Sequence, residues 1–379
     1  MEQWELHGYE GVSARQIAAL ANVPSSSIYH HFGSLEQLLV VAQEHVQQMA
    51  RQWCDDRIAQ LADLPCDARA FPAFFSGCVD DWVGSERRLA FAWREGKLLH
   101  QDSPSGRALQ QRWESVWRDF WHVVTTRFGL ERGANLVYRL FENESYLHMI
   151  DWRRAVDRAG LDEFARAIGS WLVGDPVPPS PWRDFARTAA LETMPAAPDH
   201  DGITAQIVDA ASELIAELGP GGLTHRAVAA STGLTLGTVS HKIRTKAELV
   251  EAAYGGLYIK AVSRLRARTS ALPSSGSTVA GIANFLAENL GSRGIDALHL
   301  AVARDPTLRQ FGLQLRYLRG STSRSLFEML LPDRPSPSHL EAALLSSFLS
   351  SLSRDHAQRA PDDARCLIRA ELEDLVALL

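Results

Sequence analysis

Between Trp113 and Val124 the apolar residues Trp113, Val116, Trp117, Phe120, Trp121 and Val124 fall at i, i+3, i+4, i+7, i+8 and i+11. That spacing puts all six on one face of a 3.6-residue helix. Leu161, Phe164, Ala165, Ile168, Trp171 and Leu172 repeat it. No run of β-branched residues alternates with polar ones at the period of two that a half-buried strand requires. The pattern predicts an all-α fold. It is interrupted at GDPVPPSPW, Gly174 to Trp182, where four prolines block helix continuation. Pro195 and Pro198 follow before Asp201, and residues 183–194 have room for one short helix.

The apolar pattern also repeats at long range. Residues 8–39 align without a gap on 219–250 at a constant offset of 211. Seven of the 32 pairs are identical: Gly8/Gly219, Gly11/Gly222, Arg15/Arg226, Ala18/Ala229, Ala19/Ala230, His30/His241 and Leu38/Leu249. About two would be expected by chance at average residue usage. In a chain of 379 residues this predicts two similar units in tandem. The segments are a small helical domain over 1–45, a larger one over 46–174, a proline-rich linker over 175–200, a second small domain over 201–248 and a second large one over 249–379.

Within each copy the pattern describes two short helices and a tight turn. Ser13 is a helix N-cap, Ile17 and Leu20 give the following helix an apolar side, and Ala18 lets a second helix approach. Asn22 tolerates the left-handed conformation that a tight turn needs, and Gly233 holds the same place in the second copy. Val23, Ile28 and Phe32, and in the second copy Leu234, Val239 and Ile243, are expected to face inward. Ser25, Ser26, Ser27, Tyr29 and His30 are left outside, as are Leu236, Thr238, Ser240, His241 and Lys242. Two such helices form a helix-turn-helix, whose second helix enters the major groove of DNA.

The string GYEGVSARQIAALANVPSSSIYHHFGSLEQL closely resembles the DNA-binding domain of TetR/AcrR-type transcriptional regulators, and Gly219 to Leu249 resembles it more weakly. The resemblance covers about 30 residues in each half. It implies two regulator modules fused head to tail, each a three-helix DNA-binding domain followed by a helical ligand-binding and dimerisation domain. It also implies a double-stranded DNA operator, a small hydrophobic or aromatic effector, and no cofactor. Such regulators act as homodimers. Here helices near 135–172 could pair with those near 338–378, giving either a pseudo-dimer within one chain or a homodimer of the usual kind. The expected contact set is Ser13, Arg15, Ser25, Ser26, Ser27, Tyr29, His30 and His31 in the first copy. In the second it is Thr224, Arg226, Thr235, Leu236, Thr238, Ser240, His241, Lys242 and Lys246. The copies depart from the family differently. Leu35 replaces the lysine that opens the next helix, and Pro24 stands where a Ser or Thr N-cap is usual. The second copy keeps Lys246 and Thr235 but has Ser240 and Lys242 opposite Tyr29 and His31. Only seven residues precede Gly8, whereas Ile203 to Leu218 gives the second copy about four helical turns. These departures leave open a ligand-sensing or protein-partner module that has lost DNA binding in one or both halves.

Charge changes this picture only locally. The net charge is −6, from 39 Lys+Arg and 45 Asp+Glu. Ser13 to Leu35 nevertheless contains one arginine and no acid, and Thr224 to Lys246 contains Arg226, Lys242, Arg244 and Lys246 and no acid. Phosphate contacts dominate salt-dependent affinity, so the second copy is expected to supply more of the attraction. The four cysteines have no metal or disulfide spacing, as expected of reduced thiols in cytoplasm. The N-terminus does not read as a secretory signal, and no apolar run reaches the roughly 20 residues of a membrane span. No metal pattern, GxSxG, Walker loop or GxGxxG opening is present, so no enzyme is expected. Glu142, Glu144 and His148 read as a surface pairing on one helix. All ten tryptophans lie within 1–182, and Trp82, Trp93, Trp113, Trp117 and Trp121 are candidate effector contacts, with core packing the simpler reading of most.

Overall fold

The computed structural model describes residues 1–9, 11–98, 104–193, 201–270, 279–288, 293–321, 323–357 and 359–379. Among these residues there are twenty α-helices and no strand, so the all-α expectation holds. The first half contains α1 (Glu2–His7), α2 (Ala14–Leu20), α3 (Ser25–Phe32), α4 (Leu35–Ala59), α5 (Phe71–Gly84), α6 (Arg87–Gly96), α7 (Pro104–Arg127), α8 (Ala134–Leu147) and α9 (Arg154–Val173). After α10 (Pro181–Glu192) come α11 (Gly202–Gly222), α12 (His225–Thr232), α13 (Leu236–Lys242), α14 (Lys246–Ser270) and α15 (Val279–Glu288). The chain ends with α16 (Arg293–Arg304), α17 (Arg309–Tyr317), α18 (Ser323–Leu330), α19 (His339–His356) and α20 (Pro361–Leu378).

The repeat survives in the backbone. Helices α2, α3 and α4 begin 211 residues before α12, α13 and α14, and α4 and α14 are both 25 residues long. Gly8 and Gly219 share one unusual conformation, φ 68°, ψ 175° and φ 64°, ψ −178°. Boundaries at 45 and 248 fall inside the continuous helices α4 and α14. The short helix expected at 183–194 is α10, which packs on α9 and α17. The linker is therefore not an extended tether over its described part. Pro195 and Pro198 lie outside the described residues.

The apolar face of α7 is the centre of the first half, with all six of the periodic residues from Trp113 to Val124 buried. The two halves meet where α19 packs along α8 and α9, while α20 lies on α15. One apolar cluster runs across that seam, joining Leu140 and Phe164 to Leu344 and Phe348, and buried charges sit beside it. The Arg139 guanidinium is fully buried and donates to Glu371 at 2.6 and 2.8 Å and to Asp355, which also accepts from Tyr138 and, at 2.9 Å, from Lys97. Glu142 is buried among Arg94, Lys97 and Arg354. Burial alone would raise these carboxyls. The cations reverse that, Arg354, Lys97 and Arg94 at Glu142, Lys97 and Arg139 at Asp355, and Arg139 at Glu371, holding all three below the usual carboxylate range. Glu144 accepts from Ser347 at 2.8 Å, and Arg316 reaches Asp157 at 3.2 Å and His148. Burial and Arg316 hold the His148 imidazole at about 4, so it is neutral near pH 7. Glu142, Glu144 and His148 are thus not a surface pairing. Glu144 and His148, at i and i+4, meet at 3.5 Å, whereas Glu142 lies on another side of α8, and residues of the second half engage all three.

Candidate nucleic-acid interface

Each copy builds its second short helix from local signals. In the first, Ser13 accepts from the Gln16 N–H while Gln16 accepts from the Ser13 N–H, a reciprocal cap that starts α2. Asn22, at φ 54°, is the one non-glycine residue with positive φ among the described residues, and Gly233 takes φ 72° at the matching turn. Pro24 starts α3 without a side-chain cap, whereas Thr235 caps α13 by accepting from the Thr238 N–H at 3.1 Å. Thr224 likewise accepts from the Ala227 N–H, so its hydroxyl is engaged in starting α12. Thr245 and Glu248 close the start of α14 and leave Lys246 exposed in its first turn.

The expected outward set is largely outward. Ser13, Arg15, Ser26, Tyr29, His30 and His31 are exposed, and Ser25 and Ser27 are half-buried. In the second copy Thr224, Arg226, Thr235, Leu236, His241, Lys242 and Lys246 are exposed, with Thr238 and Ser240 half-buried. Ile28, Val239 and Ile243 are buried as expected. Val23 and Leu20 are not: they are 41% and 67% exposed. The reason is the first helix. In the second copy α11 covers α12, with Gln206 donating to the Thr232 carbonyl, and Val228, Val239 and Ile243 join a core that includes Ile207 and Ile215. In the first, six-residue α1 packs on α6 and sends Trp4 into the main core. Ala14, Ala18 and Ile28 are left as a separate small cluster. Arg304 of α16 fixes α1 from the second half, donating to the carbonyls of Trp4 and Glu5 and pairing with Glu95.

The acid-free window of the second copy is also less positive in space than in sequence. The Lys242 ammonium donates to Asp201, which simultaneously caps α11 by accepting from the Thr204 N–H at 2.8 Å. The lysine, and secondarily Thr204, hold the Asp201 carboxyl well below its ordinary value. Asp201 lies 41 residues away in sequence, outside any local window.

The five candidate effector contacts come together in one buried aromatic cluster. Trp117 lies 4.8 Å from both Trp82 and Trp93 and 6.4 Å from Trp113, between ring centroids, and Trp121 lies 5.1 Å from Phe141. Trp113 donates to Gln43, but among the described residues the indole N–H groups of Trp82, Trp93, Trp117 and Trp121 find no acceptor.

With this geometry in place, comparison with known proteins adds one finding. The sequence profile of "Bacterial regulatory proteins, tetR family" matches residues 1–42 and 207–253, the two helix-turn-helix segments. No curated protein matches the chain. No helix among the described residues is long and apolar enough to cross a membrane.

Proposed function

We propose that this chain is a ligand-responsive repressor that binds a double-stranded DNA operator through α3 and α13, with its two modules paired as an intramolecular pseudo-dimer. The observation that carries the reading is the duplicated, outward-facing helix-turn-helix, each copy matched by the same regulator profile. Pairing is supported by the buried cross-half network around Arg139, Glu142, Asp355 and Glu371. Arg139 pairs with Asp355 and Glu371, and Arg354 with Glu142, so these bonds join one half to the other. Because SSSIYHH and LGTVSHK differ, the two half-sites differ and the operator is asymmetric. An effector with acceptor atoms, seated among Trp82, Trp93, Trp113, Trp117 and Trp121, would pair the free indole donors and shift the DNA-bound population. No enzymatic step belongs to this reading, and the site of action is the cytoplasm.

Selection of bound sequences from random duplex DNA tests it. An asymmetric consensus is expected, and Lys246→Ala should weaken binding and lower the salt slope by about one. Light scattering should report the 41.9 kDa monomer. A tight species of twice that mass, or a palindromic consensus, would sink the internal pseudo-dimer.

A further inference from the structure

A shallow cleft, open to solvent, lies where α10 meets the turn after α17 and the first turns of α19. Arg183, Arg187, Arg319 and His339 line it, over an apolar floor of Leu340 and Ala343, with Asp184 the one acid in the wall. Among the described residues none of the three arginines has an ion-pair partner within 4.0 Å, and the buried Glu144 carboxylate acts on Arg183 and Arg319 only at longer range. Among the described residues Arg187 has no hydrogen-bond partner either, while Arg319 uses its Nε on the Leu315 carbonyl and its Nη1, at 2.8 Å, on Ser350, which leaves its other N–H donors. Arg183 is 7% exposed and its Nη1 is buried without an acceptor. A buried guanidinium nitrogen left unpaired costs free energy that a ligand oxygen recovers.

The fold holds these cations together. Gly160 lets the Arg183 stem lie against α9, and a Cβ there would come within 3.3 Å of its Cγ. The guanidinium is stacked over Phe164 and Tyr317, with ring centroids at 5.1 and 5.5 Å. Gly320, at φ 93°, presses the turn carrying Arg319 against α19 so closely that a Cβ would sit 2.6 Å from the backbone of Ala342 and Ala343. Burial, with Arg187 and Arg324 nearby, lowers the His339 imidazole, and Asp184 opposes this.

We propose that this cleft binds a small oxyanion, the carboxylate or phosphate group of a compact ligand, between Arg183, Arg187 and Arg319. The site draws its walls from the linker helix and the second half, so its occupant clamps α10 onto α19. It is separate from the aromatic cluster, and its existence does not rest on DNA binding.

The experiment is calorimetric titration of the full chain with inorganic phosphate, and separately with succinate, against chloride at equal ionic strength. Binding of either is expected, and Arg187→Ala should weaken it about tenfold or more. That variant removes an unpaired, half-buried cation from beside two others, so the unliganded fold should tolerate it. Phosphate binding alone identifies a phosphoryl ligand, and succinate binding alone a carboxylate. Lys246→Ala, which removes a cation from the DNA-reading surface, should leave the titration unchanged. Absence of binding by both anions, undiminished binding in Arg187→Ala, or loss in Lys246→Ala instead would overturn the proposal. Failure of the DNA selection would leave all of these outcomes readable.

Discussion

Replacing Arg139 with Met removes the cation at the centre of the seam without changing much of its volume. The guanidinium is fully buried, and its loss leaves Glu371 and Asp355 facing each other's region with fewer partners. Breaking one side of a buried ion pair costs about 3–5 kcal/mol. The low end applies, because Lys97 and Tyr138 still serve Asp355, and Arg118, Asn135 and His356 still serve Glu371. Unfolding entropy of about 2 cal/mol/K per residue gives roughly 0.8 kcal/mol/K for a chain of this length. A loss of about 3 kcal/mol then lowers Tm by about 4 °C. The pH dependence has a definite sign. Both carboxyls are held low in the folded protein, so their stabilisation is full above their unfolded values near 4 and disappears as pH falls toward the folded ones. The parent loses that contribution on acidification and the variant has less to lose, so the gap in Tm narrows below about pH 4. Thermal melts followed by circular dichroism across this range provide the check. A variant within about 1 °C of the parent at neutral pH, or a gap that widens in acid, refutes the reasoning.

Asp201→Asn keeps an N-cap for α11 while releasing Lys242, so operator affinity should rise and its salt slope steepen by about one in anisotropy titrations. Unaltered affinity would show that Lys242 does not touch phosphate. Asn22→Ala should cost about 1–2 kcal/mol in urea unfolding of the first helix-turn-helix, and Asn22→Gly little, because the position is left-handed. Gly320→Ala should destabilise by about 2 kcal/mol or more, since the added carbon meets α19 backbone rather than a side chain that can turn away; a neutral result would mean that the turn moves freely. Maleimide should label Cys366 quickly and Cys54 and Cys78 only on unfolding, as burial pushes both of those thiols up.

What could be read in advance was whatever is decided within a few residues. The Ser13 and Thr235 caps, the left-handed Asn22, the missing cap at Pro24 and the buried face of α7 all follow from neighbours three or four positions away. The pattern puts Val23 inward and Leu20 on an apolar side because it assumes a covering helix, and α1 is too short and turned toward α6. Lys242 looked free because its acid lies 41 residues off, and Glu142 looked exposed because Arg354 lies 212 residues off. Neither partner has any signature in the local sequence. The arginine cleft was invisible for the same reason: Arg183, Arg319 and His339 meet only through the packing of α10 against α17 and the close approach at Gly320.

The contact of α8 with α19 joins parts of a single polypeptide. Association between separate subunits weakens on dilution, whereas an internal contact faces a fixed effective concentration set by its connection. Under the proposed pseudo-dimer, the two helix-turn-helix segments stay in register in a cell that holds very few copies, and one translation event supplies both.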